Sequence, residues 1–193
     1  MALQLKIIIA STRPGRVGPT VARWVDDYAR AQGKFEVELI DLAELGLPLF
    51  DEPRHPVLQQ YEHEHTKRWA KIVGSGDAFV FVTPEYDYFP PASVVNAIQY
   101  LSREWTAKPA GIVSYGGISA GLRAGQVLRQ LLGNLNVMAL SQSVPVPFTN
   151  TFIGEDGVFR PNEPMEKGAE LMFGELHKWA VGLKAMREAQ PQG

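Results

Sequence analysis

The sequence predicts an α/β protein: a doubly wound, five-stranded parallel sheet with helices on both faces, forming a three-layer sandwich. Three observations carry this. Five short apolar runs, rich in β-branched residues and each closed by a turn, read as strands covered on both faces. Stripes of apolar residues at helical spacing lie between them. Their strict alternation implies parallel pairing through right-handed crossovers.

Taken in order, Leu3 to Ala10 (LQLKIIIA) is the first strand, and it stops at the loop STRPGRVGP. Val21, Val25, Tyr28 and Ala29 follow at i, i+4, i+7 and i+8, and Gly33 punctuates that helix. Phe35 to Leu42 is the second strand. A polar helix is expected over about Leu58 to Val73, then a strand at Ala78 to Thr83. The next helix, Ala92 to Trp105, carries Val94, Val95, Ile98 and Leu101, and Ala110 to Tyr115 is the fourth strand. Ala124, Val127, Leu128, Leu131 and Leu132 mark another helix before a last strand near Val137 to Val146. The final helix carries Met172, Leu176, Trp179, Ala180 and Leu183. Pro145 to Pro164 reads as a surface excursion, and Ala189 to Gly193 as a frayed end. Residues 1–193 make one domain with no internal repeat.

Composition agrees and excludes much else. A chain of 193 residues buries roughly 70% of its unfolded surface, so the core needs no staple. With 45% apolar and 21% charged residues, disorder and coiled coil are disfavoured. The net charge is −2 and no run of five like charges occurs, so no nucleic acid is expected as partner. Zero cysteines exclude disulfides, thiolate metal sites and a Cys nucleophile together. The first apolar stretch is too short to span a membrane, which makes a cytoplasmic protein the default expectation.

In such sheets ligands bind beyond the carboxyl ends of the strands, where strand order reverses. Three loops are therefore informative. Ser11 to Gly18 mixes hydroxyls, glycines, Arg13 and Arg16 ahead of a helix start with Pro19 at its first turn. That suits a single phosphate monoester, held by backbone N–H groups and a guanidinium. Neither GxxxxGK[ST] nor GxGxxG is present. Thr83 to Pro91 places Tyr86, Tyr88 and Phe89 in a proline-stiffened turn, a fixed edge for a flat heterocycle. Ser114 to Gly121 allows close backbone approach at Gly116 and Gly117.

The third loop also contains Gly117-Ile118-Ser119-Ala120-Gly121, a literal nucleophile-elbow pattern between strand and helix. Asp156 and His177 follow in the order a serine hydrolase needs. Against it, His177 lies inside the last helix and no HGGG-type oxyanion segment exists. His63 and His65, two apart, point to different sides of a helix, and no carboxylate cluster suggests a metal.

The three loops together resemble the NADPH-dependent FMN reductase family of flavodoxin-like proteins, whose relatives include quinone, chromate and azo-dye reductases. The resemblance covers about Lys6 to Leu132. It rests on Ser11-Thr12-Arg13 with Arg16, on Thr83-Pro84-Glu85-Tyr86-Asp87-Tyr88 followed by Asn96-Ala97, and on Ser114-Tyr115-Gly116-Gly117 with Gly121-Leu122-Arg123. The family usually has Asn where Asp87 stands. The resemblance implies a flavodoxin-like, FMN-binding fold. It places the FMN phosphate on Ser11, Arg13, Arg16, Val17 and Gly18. The isoalloxazine edge then lies along Pro84, Glu85, Tyr86 and Asp87, and against Ser114, Tyr115, Gly116 and Gly117.

The implied activity is hydride transfer from NADPH or NADH through FMN to a quinone, free flavin or similar small acceptor, with no catalytic side chain and no metal. The N–H groups beside Gly116 and Gly117 are positioned for the negative charge of the reduced ring. A flavodoxin-type electron carrier and a Ser119 hydrolase are the alternatives. The working unit is expected to be a homodimer or homotetramer, because Tyr100 and Trp105 are apolar groups with no evident core to fill.

Overall fold

The computed structural model describes residues 2–189. Its strands are β1 (Leu3–Ile9), β2 (Phe35–Asp41), β3 (Ala78–Pro84), β4 (Pro109–Tyr115) and β5 (Met138–Val146). Its α-helices are α1 (Gly18–Gln32), α2 (Leu42–Leu45), α3 (Glu64–Gly74), α4 (Ala92–Gln99), α5 (Leu122–Asn134) and α6 (Glu163–Ala189). All strand pairs are parallel, in the order β2-β1-β3-β4-β5. The five expected strands are all present, with ends within a residue or two of the expected ones.

Burial explains why these runs were legible. Every residue of β3 and β4 is buried, while the edge strand β2 is only partly so. Alternate side chains go to opposite faces of the sheet. Leu5, Ile7 and Ile9 of β1 join Val21 and Val25 of α1 and Met172 and Leu176 of α6 in one core. Ile8 joins Phe79, Phe81, Trp69 of α3, Ile98 of α4 and Leu128 of α5 in the other. Helices thus cover both faces, as expected. Asp77 ties the end of α6 to the sheet by accepting from Lys184 at 2.9 Å and Arg187 at 2.8 Å.

Several expectations need correction. The helix expected from Leu58 begins at Glu64. Gln59 takes φ 53° after a short 3-10 turn at Pro56–Leu58, and His63 is extended. Because His63 precedes the helix, its ring stacks on His65 at 5.1 Å rather than pointing away, and His65 lies 3.0 Å from Asp51.

The helix expected through Trp105 ends at Gln99, and Tyr100 and Trp105 are fully buried. The chain turns back after the helix and inserts Trp105 against Trp69 and Phe79, at centroid distances of 5.8 and 4.9 Å. Its indole N–H donates to the Ile98 carbonyl at 3.1 Å. These rings fill the chain's own core and offer nothing to a partner. The stretch after β5 is likewise no simple surface excursion. It forms a 3-10 turn at Thr149–Phe152 beside the carboxyl ends of the strands. Of the expected frayed end, Ala189 closes α6 and residues 190–193 lie outside the described residues.

Candidate functional site

Strand order reverses between β1 and β3, so the crevice at their carboxyl ends is where this topology places a ligand. The first loop enters it as the N-terminus of α1. That helix has no side-chain cap, with Val17 at the cap position, and no acidic residue in its first turn. The N–H groups of Thr12, Arg13, Gly15, Val17 and Gly18 meet no acceptor among the described residues. A helix start with its donors unused attracts an anion.

Gly18 lets α1 approach this closely. A Cβ there would lie 2.4 Å from the Ser11 hydroxyl oxygen and 2.6 Å from that of Tyr115. Those two hydroxyls meet behind the loop, Tyr115 donating to Ser11 at 3.1 Å. Burial pushes the Tyr115 phenol up to about 12, so it stays a donor throughout the ordinary pH range.

The two arginines have different jobs. The Arg16 guanidinium donates to both carboxylate oxygens of Asp41, at 2.6 and 2.5 Å, and to the Ser11 carbonyl at 2.5 Å. It pins the loop to the end of β2. Arg13 makes no ion pair among the described residues and lies 5.7 Å from the Tyr86 ring centroid.

The second loop is a two-residue hairpin in which Tyr86 and Phe89 exchange bonds of 2.9 Å. Asp87 and Tyr88 between them take φ 48° and 74°. That is the geometry of a type I′ turn, which favours Asn or Asp at its first central position. Asp87 is thereby accounted for by backbone conformation.

The Glu85 carboxylate is engaged at the start of α5. It accepts from Ser119 at 2.9 Å, from Arg123 Nε at 2.7 Å, and from the N–H groups of Arg123 and Ala124 at 3.1 and 3.4 Å. Burial raises its pKa, but the bonds from Arg123, Ser119 and Ala124 outweigh it and hold the carboxyl below its ordinary range. Glu85 therefore caps α5, whose own cap position is Gly121. The same contacts dispose of the hydrolase. Ser119 is spent on Glu85, Asp156 pairs with Arg160 at 2.7 Å, and His177 packs edge-on to Phe35 at 5.6 Å.

Arg13, Arg16, Val17, Pro84, Glu85, Tyr86, Tyr115, Gly116 and Gly117 line one cleft of about 450 Å³. Ser11, Gly18 and Ser114 are buried behind its wall, and Asp87 faces a neighbouring hollow. The Gly116 N–H already donates to Val146 at 3.2 Å. The Gly117 N–H has no acceptor among the described residues, and a Cβ there would meet open space.

A fourth wall, Phe148 to Thr151, was not foreseen. Phe148 and Thr149 donate to the carbonyls of Gly117 and Gly116 at 3.1 and 3.2 Å, which brings this segment onto the glycine pair. The available signal was weak: a strand followed by Pro147-Phe148-Thr149-Asn150, with turn formers at the end that carries ligands.

A 2-1-3-4-5 parallel sheet with an uncapped helix start at its β1/β3 switch point is the architecture of flavodoxin-like proteins. Residues 3–151 match the family described as NADPH-dependent FMN reductase, and the chain belongs to that family. It is an NAD(P)H-dependent oxidoreductase that works through FMN. An NAD(P)H-dependent FMN reductase of Schizosaccharomyces pombe is 38% identical over 144 residues, covering 74% of this chain and 71% of the relative. A quinone reductase of Escherichia coli is 32% identical over 147 residues, covering 72% and 74%. Among solved structures, the flavoenzyme NAD(P)H:(acceptor) oxidoreductase of Paracoccus denitrificans superposes with a TM-score of 0.71. At 19% identity, with 95% of this chain and 98% of that chain covered, it supports the fold.

Proposed function

We propose that this cleft holds FMN with its phosphate over the N-terminus of α1, and that the holoprotein passes electrons from NADPH or NADH to a quinone, free flavin or similar small acceptor. The observation that carries the reading is the uncapped α1 start, with the unused N–H groups of Arg13, Gly15 and Val17 in residues that line a cleft. The chain's residues fit the cofactor. A volume of about 450 Å³ lies in the range of about 300–1,000 Å³ usual for such sites. One anion seat suits a mononucleotide.

The free amides among Thr12, Arg13, Gly15, Val17 and Gly18 and the Arg13 guanidinium hold the phosphate. Ser11, Gly18 and Tyr115 shape the seat from behind, and Arg16 fixes the loop through Asp41. Pro84 to Asp87 present a rigid backbone edge to the ring system, and Ser114 anchors the turn that carries Gly116 and Gly117. The Gly117 N–H is the donor free to balance negative charge on the reduced ring. The chemistry supplied by FMN when bound is two-electron transfer between nicotinamide and acceptor, which no side chain here performs.

Residues 1–193 act as one FMN-binding domain, working in the cytoplasm as a homodimer or homotetramer. The exposed Tyr88, Phe89 and Ile118 on the loops after β3 and β4 support assembly, in place of Tyr100 and Trp105. Among the described residues no helix is long and apolar enough to cross a membrane. Light scattering is expected to give a multiple of 21.4 kDa. The functional test is anaerobic titration of the FMN-loaded protein with NADPH. Bleaching of the flavin absorbance, restored by added quinone, is expected. A bound flavin that NADPH and NADH both leave oxidised would make the protein a carrier instead.

A further inference from the structure

Phe148 adopts φ 45°, ψ 49°, the left-handed region that bulky L residues avoid. Its surroundings hold it there. Its N–H donates to the Gly117 carbonyl, and the next N–H donates to Gly116. Its own carbonyl accepts from the Thr151 N–H and hydroxyl, both at 2.9 Å. No burial of the ring compensates, for it is 55% exposed and belongs to neither apolar core. Strain that is over-determined by hydrogen bonds and unrewarded by packing points to a role in the site.

That role follows from which cleft aromatics remain available. The Tyr115 ring is buried, with its hydroxyl engaged. The Tyr86 ring has the Arg13 guanidinium over it. Phe148 is the aromatic group lining the cleft whose ring is left largely exposed. It stands at the end of the wall that leans on Gly116 and Gly117, where the missing side chain of Gly117 leaves room for a planar molecule.

We propose that Phe148 is a specificity-determining residue: its ring is the outer wall against which the flat conjugated ring of the second substrate stacks. Planar acceptors such as quinones are thereby favoured over non-planar ones. Offset stacking between rings rewards a planar partner and gives nothing to a compact inorganic oxidant. The inference rests on the FMN reading above, and the experiment separates the two.

Phe148→Gly and Phe148→Tyr are compared with the wild type as FMN-loaded proteins, at saturating NADPH, with 1,4-naphthoquinone and with ferricyanide. In Phe148→Gly the KM for naphthoquinone is expected to rise about tenfold and that for ferricyanide less than about twofold. Phe148→Tyr, which keeps the ring, restores a wild-type KM. Glycine accepts a positive φ without strain, so the thermal midpoint of Phe148→Gly should not fall although the site is damaged. Equal changes for both acceptors, or no change for either, would overturn the proposal. Loss of FMN from Phe148→Gly would also overturn it, by making the ring a cofactor contact, while leaving the FMN reading intact. A wild-type protein that takes up no FMN would end both.

Discussion

Arg13 and Arg16 are three residues apart in one loop, yet removing each should damage a different property. Arg16 makes three charge-assisted bonds, two to Asp41 and one to the Ser11 carbonyl, with the Arg16 and Asp41 side chains only 17% and 12% exposed. Arg16→Ala leaves the Asp41 carboxylate largely buried without its partner. Breaking a fully buried pair costs about 3–5 kcal/mol. Residual solvent contact lowers that to about 2–4 kcal/mol here. For a protein of this size that is a fall in Tm of roughly 5–15 °C.

Arg13 has no ion pair to lose among the described residues, so Arg13→Ala should melt like the wild type. It forfeits a charge-assisted phosphate contact worth about 1.5–3 kcal/mol, which weakens FMN binding by roughly 10–150-fold. Circular dichroism on flavin-free protein reads the first effect, and quenching of FMN fluorescence reads the second. An Arg16→Ala protein as stable as the wild type, beside an Arg13→Ala protein with undiminished FMN affinity, would refute the division of labour.

Trp105→Ala, which empties a site packed against Trp69, Phe79 and Phe81, should cost about 3–5 kcal/mol in urea unfolding; Trp105→Glu should fail to fold rather than give a soluble monomer. Ser119→Ala should keep quinone reduction, and neither it nor the wild type should hydrolyse a p-nitrophenyl ester. Lys108 is buried, donates to the Val73 and Gly74 carbonyls at the end of α3, and has its pKa lowered by desolvation from 10.5 to about 7. The folded state therefore gives up a proton that the unfolded chain keeps, so Lys108 should make stability rise with pH between about 7 and 10.5. Lys108→Met should flatten that rise in urea midpoints measured across the same range.

What the sequence revealed follows from what burial does to sequence. The central strands β3 and β4 are buried throughout and stand out as apolar runs. The three loops that meet at the cleft were legible because topology fixes which strand ends matter. Less visible were decisions made by distant contacts. Trp105 reads as surplus on a helix until the chain is seen to turn after Gln99 and bury it. Glu85 sits in the most distinctive motif of the chain, and only the fold shows that it caps a helix beginning at Leu122. Arg16 is indistinguishable from Arg13 in sequence because its partner, Asp41, is supplied by a neighbouring strand. Phe148 joins the site through hydrogen bonds to two backbone carbonyls, which leave no mark on residue type.

On the function proposed above, the uncapped start of α1 seats the phosphate of a flavin mononucleotide. The direct test compares FMN with riboflavin, which lacks only that phosphate, by fluorescence titration of flavin-free wild-type protein. Two charge-assisted bonds alone predict FMN binding at least about 100-fold tighter. Equal affinity for the two flavins would contradict the account.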